Sequence, residues 1–347
     1  MAMMREELVV RERLVSEKRY LEGLGVVKLL PGPVSTLLSV FLGQEVSGYL
    51  GGLLSALCFI LPSFLMILCL VYFQSSLSPD FLETPTVASA MKAVQIAVLA
   101  IILGTCWKLF SESYKRKYAE QNRKMLVLAC AALALGLSLL NLPELFVLGL
   151  SSVAGLGALS WAAKAKAKRL NIDLFSLFMI FFTAGLTVFG TGYMVLPYLE
   201  RVLVAQNQLL SSKDFLDAVV FGNFTPGPVV IATTYMGYKI AGINGALVST
   251  AGIFGGPILL MLVLGPWVRK VLDRPWVEGL LVGLLPAVAV SIALSVIPFA
   301  KSLNPMWAHA VVFMGACWLV FRWRLAAWLV LIICGLVGAM LPLLGIF

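Results

Sequence analysis

The chain has 347 residues, of which 61% are hydrophobic and only 12% charged, and its mean hydropathy is +0.97. Soluble domains carry about 25% charged residues, so this composition excludes an ordinary soluble fold and points to a polytopic membrane protein in a lipid bilayer. The net charge of +9 is accounted for by basic loops on one side of the membrane and calls for no nucleic-acid partner.

Residues 1–23 are polar and of mixed charge. Leu8, Val9, Leu14, Tyr20 and Leu21 form a partial apolar stripe that predicts a surface helix. The stretch lacks the apolar core of a cleavable signal peptide. Apolar segments follow at 24–43, 49–73, 86–110, 125–140 and 142–163, closed by a basic linker from Lys164 to Arg169. A second series runs 174–196, 217–241, 243–267, 276–300, 306–321 and 325–347, with a loop expected over 197–216. The six cysteines (Cys58, Cys69, Cys106, Cys130, Cys317, Cys334) lie in these segments without Cys-x-x-Cys spacing and read as buried packing thiols. His309 is the only histidine and has no carboxylate near it in sequence, so no metal site or triad is expected.

Two stretches stand out, Leu30-Pro31-Gly32-Pro33-Val34-Ser35-Thr36 and Thr225-Pro226-Gly227-Pro228-Val229. Proline removes a backbone donor and clashes with the preceding turn, so a helix must break at each. Proline also suits the first position of a new helix. Each motif therefore predicts a loop opening into a half-helix whose bare N–H groups and positive dipole end attract an anion. The alternative is that the motifs only kink packed helices.

The surroundings of the two motifs correspond. Ser16, Tyr20, Leu21 and Glu22 align with Ser211, Phe215, Leu216 and Asp217 at an offset of 195. After a one-residue gap, Gly43, Gly48 and Gly51 align with Gly237, Gly242 and Gly245, and Pro62 then matches Pro257. The chain reads as two repeats, 1–169 and 170–347. The helix that opens the second repeat, 174–196, projects back to before Met1, which leaves either a lost first helix or an internal start.

Loop charge gives the orientation. In the first repeat the loops at 1–23, 111–124 and 164–169 are basic, while 74–85 and 141–144 carry no Lys or Arg. In the second repeat the signs reverse: Arg269, Lys270 and Arg274 are basic where 74–85 is not. Inversion needs an odd number of crossings per repeat. It follows if each Pro-Gly-Pro segment enters and leaves on one side. The expected fold is an all-α integral membrane protein with two inverted-topology repeats, about nine crossings and two re-entrant Pro-Gly-Pro hairpins.

Three stretches give the chain a family likeness: Met3-Met4-Arg5-Glu6-Glu7-Leu8 through Leu29-Leu30-Pro31-Gly32-Pro33-Val34-Ser35-Thr36, Phe189-Gly190-Thr191-Gly192-Tyr193 through Leu196-Pro197, and Phe221-Gly222-Asn223-Phe224-Thr225-Pro226-Gly227-Pro228-Val229. On these the chain resembles the chromate ion transporter family over nearly its whole length. The resemblance implies an inner-membrane, multi-pass exporter of chromate, with sulfate as a like oxyanion. Two departures stand out: the family's Phe-Gly-Gly-Pro element on the first helix is absent, and Lys28 stands where a neutral polar residue is expected.

A tetrahedral dianion needs donors that carry no charge when the site is empty. The candidate set is Pro31, Gly32, Pro33, Ser35 and Thr36 in the first repeat. In the second it is Gly190, Gly192, Tyr193, Asn223, Thr225, Pro226, Gly227 and Pro228, with further hydroxyls at Thr233 and Thr234. Lys28, Glu22 and Asp217 are candidates for charge balance or proton coupling, against surface anchoring for each. Gly190-Thr191-Gly192 follows no strand and makes no nucleotide loop; Walker, HExxH and Gly-x-Ser-x-Gly sequences are missing. No cofactor and no enzymatic activity are expected. The competing functions are a passive anion channel and an enzyme acting on phosphate-bearing lipid. Sequence leaves the oligomeric state open, a homo-oligomer included.

Overall fold

The computed structural model describes residues 2–27, 29–78, 81, 84–115, 131–132, 135, 173–188, 192–271, 289–290, 292–293, 296, 307–323 and 325–342. Among them every regular element is a helix and no strand occurs. The longer helices are α1 (Glu17–Val26), α2 (Val34–Ser76), α3 (Pro85–Lys115), α4 (Leu174–Thr187), α5 (Ser212–Phe224), α6 (Ala232–Val271), α7 (Trp307–Phe321) and α8 (Ala327–Met340). Most of 125–140 and of 276–300, all of 142–163 and the basic linker lie outside the described residues.

The N-terminal stretch is helical, as its stripe predicts, but in two pieces. A turn at Ala2–Arg5 widens into a π-helix over Glu6–Arg11, and α1 starts afresh behind a Ser16 cap whose Oγ accepts the Arg19 N–H at 3.3 Å. The expected 197–216 loop is helical too. Val195–Leu199 runs into a π-helix over Glu200–Gln206, because Leu196, Leu199 and Leu203 recur at helical spacing and are buried. Ser211 then caps α5 by accepting the Asp214 N–H at 3.0 Å. Arg13 and Gln208, 195 residues apart, both take left-handed φ, 50° and 52°.

Neither α2 nor α6 is straight. In α2 the backbone leaves helical values at Ser47 (φ −140°) and Gly48 (φ 63°); in α6 it does so at Ala241 (φ −144°) and Gly242 (φ 60°). Ser39 Oγ donates to the Ser55 carbonyl at 3.1 Å, and Ser55 Oγ donates back to the Ser39 carbonyl at 2.9 Å. Sixteen residues of straight helix would span about 24 Å, so α2 folds back on itself at 47–48. Thr234 and Thr250, whose hydroxyls meet at 2.7 Å, report the same reversal in α6. The arms touch through glycine: a Cβ on Gly43 would lie 2.5 Å from the Gly51 carbonyl oxygen, and Gly237 and Gly245 are as tightly opposed.

The first arm of α2, from Val34 to the turn at Ser47, falls short of the roughly 20 residues a bilayer crossing needs. The second arms continue to Ser76 and Val271. Val34–Ser76, Pro85–Lys108 and Val229–Val268 are apolar and long enough to cross a membrane. Leu50, Leu57, Leu61, Leu65 and Tyr72 stay more than half exposed along the second arm of α2, a surface suited to lipid. Cys106 and Cys334 are buried as expected, but Cys58 and Cys69 are exposed on that same arm, and Cys130 lies outside the described residues.

Around the hairpins, α4 packs on α6 with Gly185 against the Ile253 backbone, and α2 meets α6 where Gly52 faces Leu262. Helix α3 lies against α7 and α8, with Gly338 on Ala93 and the Ser89 carbonyl.

The two kinds of glycine respond differently to substitution. Gly242 has open space around its Cβ position, so Gly242→Ala meets only the strain of a conformation suited to glycine, about 1–3 kcal/mol. Gly237→Leu must separate the two arms. Thermal unfolding in detergent should show a modest loss for the first and failure to accumulate folded protein for the second.

Candidate functional site

Both Pro-Gly-Pro motifs sit at the tips of helical hairpins. Helix α1 ends at Val26 and α2 begins at Val34; α5 ends at Phe224 and a 3-10 turn at Val229–Ile231 opens α6. Gly23 packs on Phe41 and Leu38 in the first hairpin, and Gly222 packs on Ala232 in the second, where the Phe221 and Tyr235 rings also stack at 5.2 Å. The breaks are therefore full reversals, not kinks in continuous helices.

Each tip docks on the opposite repeat. Gly32, at φ 137°, would place a Cβ 2.6 Å from Pro257 Cβ on α6. Ser63 Oγ on α2 donates to the Pro226 carbonyl at 2.6 Å, and Ser63 fills the space beside Gly227. Pro62 and Pro257 are the proline pair aligned by the 195-residue offset, so the two contacts are reciprocal.

The described residues that follow α4 touch both tips. The Gly32 N–H donates to the Val188 carbonyl at 2.5 Å. Four residues on, a Cβ on Gly192 would lie 2.5 Å from Val230 Cγ2 and 3.1 Å from the Val230 nitrogen. Next to it the buried Tyr193 hydroxyl donates to Asn223 Oδ1, while Asn223 Nδ2 donates to the Val219 carbonyl at 2.8 Å. Val188 thus meets Gly32 of the first tip, and Gly192 and Tyr193 meet Val230 and Asn223 of the second, while Pro226 and Gly227 face Ser63 of α2. Gly190 and Lys28 lie outside the described residues. The first tip is covered, with Gly32 and Pro33 buried, whereas Pro226 and Gly227 are exposed.

Several expected donors are already committed. The Gly32 N–H is taken by Val188. Thr225 and Thr233 donate to the Gly222 and Val230 carbonyls at 3.2 and 2.9 Å, and Thr234 is engaged with Thr250. Proline-flanked loops expose carbonyls and amides together, and in an apolar interior each is drawn to the nearest partner. Thr36 differs. It lies in the first turn of α2, is 1% exposed, and its Oγ1 has no hydrogen-bond partner among the described residues. A buried hydroxyl left unmatched beside a helix N-terminus is a vacancy for an acceptor or an anion.

The charged candidates separate. Glu22 pairs with Arg19 at 2.9 Å, and Arg19 also reaches Glu45 at 3.4 Å. Asp217, its aligned counterpart, is 2% exposed and accepts from Gln95 Nε2 at 2.8 Å. Lys239 pairs with Asp214 at 3.1 Å and lies over the Tyr235 ring, whose hydroxyl donates to Gln74 at 2.8 Å. Sequence reading misses Val188, Ser63 and Gln95. Of these, Gln95 leaves a signal: an amide inside an apolar segment.

The description of the chromate transporter family matches residues 1–156 and again 175–339. The chain belongs to the chromate transporter family. It is 31% identical to a probable chromate transport protein of Synechococcus elongatus, an alignment covering 93% of this chain and 84% of that one. It is 30% identical to a chromate transport protein of Cupriavidus metallidurans (86% of this chain, 77% of that one) and 28% identical to one of Pseudomonas aeruginosa (86% and 76%). No solved structure is a significant match. With its apolar helices, this chromate transporter relative is a multi-pass membrane protein.

The tips should tolerate substitution unequally. Gly227→Ala meets a single serine side chain, and Ser63→Ala clears that space only by giving up the bond to the Pro226 carbonyl, so adding it should recover part, not all, of the loss of thermal stability in detergent. Gly32→Ala meets Pro257 and an unfavourable φ, and Leu37→Ala, which clears the other neighbour, should not recover it.

Proposed function

We propose that this chain is a secondary transporter that exports chromate, or a like tetrahedral oxyanion such as sulfate, across the cytoplasmic (inner) membrane by alternating access. Two inverted repeats, 1–169 and 170–347, rock about the docked hairpin tips, and no enzymatic step is involved. The observation that carries this reading is that Val188 meets the first tip and Gly192, four residues on, meets the second. A site made from both repeats opens to one side or the other as the repeats tilt. First arms too short to cross support the same topology, since a hairpin that returns to its own side leaves each complete repeat with an odd number of crossings.

The oxyanion is held by half-helix N-termini and by hydroxyl and amide donors, without a fixed cation among the described residues of the tips. In the first repeat these are the opening turn of α2 with Ser35 and Thr36, framed by Pro31, Gly32 and Pro33. In the second they are the Val229–Ile231 turn and the second amide hydrogen of Asn223, framed by Gly192, Tyr193, Thr225, Pro226, Gly227 and Pro228, since the Tyr193 and Thr225 hydroxyl hydrogens are already given to Asn223 and to the Gly222 carbonyl. Close packing of the backbone against side chains, Pro257 and Leu37 at Gly32 and Ser63 at Gly227, accounts for these two glycines more than approach of backbone to anion.

Everted vesicles containing the full chain should accumulate chromate saturably and against its gradient; equilibration without uphill movement would make it a passive channel. Thr36→Val removes a donor that meets the anion, an interaction worth about 1.5–3 kcal/mol, so apparent affinity should fall roughly 10- to 100-fold at equal protein level. An unchanged affinity would remove Thr36 from the site.

A further inference from the structure

We propose that Asp217 is the proton-binding group of the transporter, and that its contact with Gln95 ties proton binding to movement of the second hairpin. The inference rests on the transporter reading above and adds the coupling ion to it.

Asp217 and Gln95 are 2% and 5% exposed, and the hydrogen bond between them joins α5 to α3. Among the described residues no cation lies within 4 Å of the Asp217 carboxylate. Its surroundings hold few charges. On α5 itself stand Lys213 and Asp214. Helix α6 brings Tyr235, bound to Gln74 of α2, and Lys239, which is held by Asp214. Helix α3 adds Lys92 one turn before Gln95, and α8 only the Cys334 thiol. The π-helix before α5 carries Glu200 and Arg201, and the Val229–Ile231 turn carries no charge.

A carboxylate enclosed in apolar packing with one neutral amide donor is unfavourable to keep ionised, and taking up a proton removes the charge. The amide serves both forms. Its N–H donates to the carboxylate, and its carbonyl accepts from the carboxylic acid. Glu22, the counterpart in the first repeat, is neutralised by Arg19 and has no such need. Asp217 is also well placed to act on the site. It shares α5 with Asn223, which Tyr193 holds, and α5 ends at the second tip. Gln95 belongs to a helix outside that hairpin. In the step proposed, the carboxylate takes one proton from the aqueous phase on one side and becomes a neutral acid. The second hairpin then shifts relative to α3, and the acid releases the same proton to the other side as the carboxylate re-forms.

The full chain is reconstituted in proteoliposomes, with chromate movement and lumenal pH followed together. Wild type should move protons with chromate and respond to an imposed pH gradient. Asp217→Asn should keep chromate–chromate exchange yet lose both proton movement and gradient response. Asp217→Glu, which retains a carboxyl group, should restore proton movement with a displaced pH profile. Proton movement that survives Asp217→Asn overturns the assignment, as does wild-type chromate transport indifferent to pH. Loss of exchange in both variants, with intact protein in the membrane, assigns Asp217 a structural role and also overturns it. If wild type moves no chromate at all, it is the transporter reading that fails.

Discussion

A helix interrupted inside an apolar bundle must find partners for its loose backbone groups, and the rest of this structure follows from where it finds them. Neither tip is closed within its own repeat. The first donates the Gly32 N–H to the Val188 carbonyl, and the second accepts a hydrogen bond from the Ser63 hydroxyl at the Pro226 carbonyl. In water such bonds would contribute about 0.5–1.5 kcal/mol each; where water is scarce, leaving the groups unmatched costs several. The tips therefore act as the seam between the repeats. Any motion that opens the seam must replace those bonds, by water or by the cargo itself.

The hairpins behind the seam require close approach of main chains, and small residues make it. Gly43 on Gly51 and Gly237 on Gly245 let the arms of α2 and α6 lie backbone to backbone, and Gly185 on Ile253 sets α4 against α6. In lipid, where burial of apolar surface drives little helix association, such contacts and hydrogen bonds carry the packing. Ser39 with Ser55 and Thr234 with Thr250 add hydroxyl bonds in the hairpins.

Much of this was open to inspection in the sequence. Proline chemistry is local, so the breaks at Pro31–Pro33 and Pro226–Pro228 and the helices that follow them could be read directly. The gaps between segments at 43–49 and 241–243 lie at the reversals around Gly48 and Gly242. The stretch at 197–216 was harder. Its charges, Glu200, Arg201, Lys213 and Asp214, suggest a loop, whereas Leu199 and Leu203 at four-residue spacing bury one face of a helix. The site was half legible. Which residue types meet at the tips could be named, but not which donors were already spoken for. The Gly32 N–H is lost as a ligand to Val188, a residue 156 positions away that no local pattern marks. Pro62 and Pro257 were visible as a pair, but that Pro257 and Ser63, the residue after Pro62, lie against opposite tips is a tertiary fact.

The two hairpins are alike in backbone and unlike in charge, and this difference gives them separate work. Glu22 sits in a mesh with Arg19 and Glu45, a local neutralisation that anchors α1 to α2. Asp217 has no such mesh and leans on a neutral amide from α3. Tip exposure runs the same way: Gly32 is covered, while Pro226 and Gly227 are open. The second hairpin has an ion pair of its own, Asp214 with Lys239, and reaches its neighbours through Gln95, Ser63, Tyr193 and the Tyr235–Gln74 bond. What separates the hairpins is therefore the setting of one aligned pair of carboxylates, Glu22 beside a guanidinium and Asp217 beside an amide, a difference that sequence similarity conceals because it resides in the partners of aligned residues.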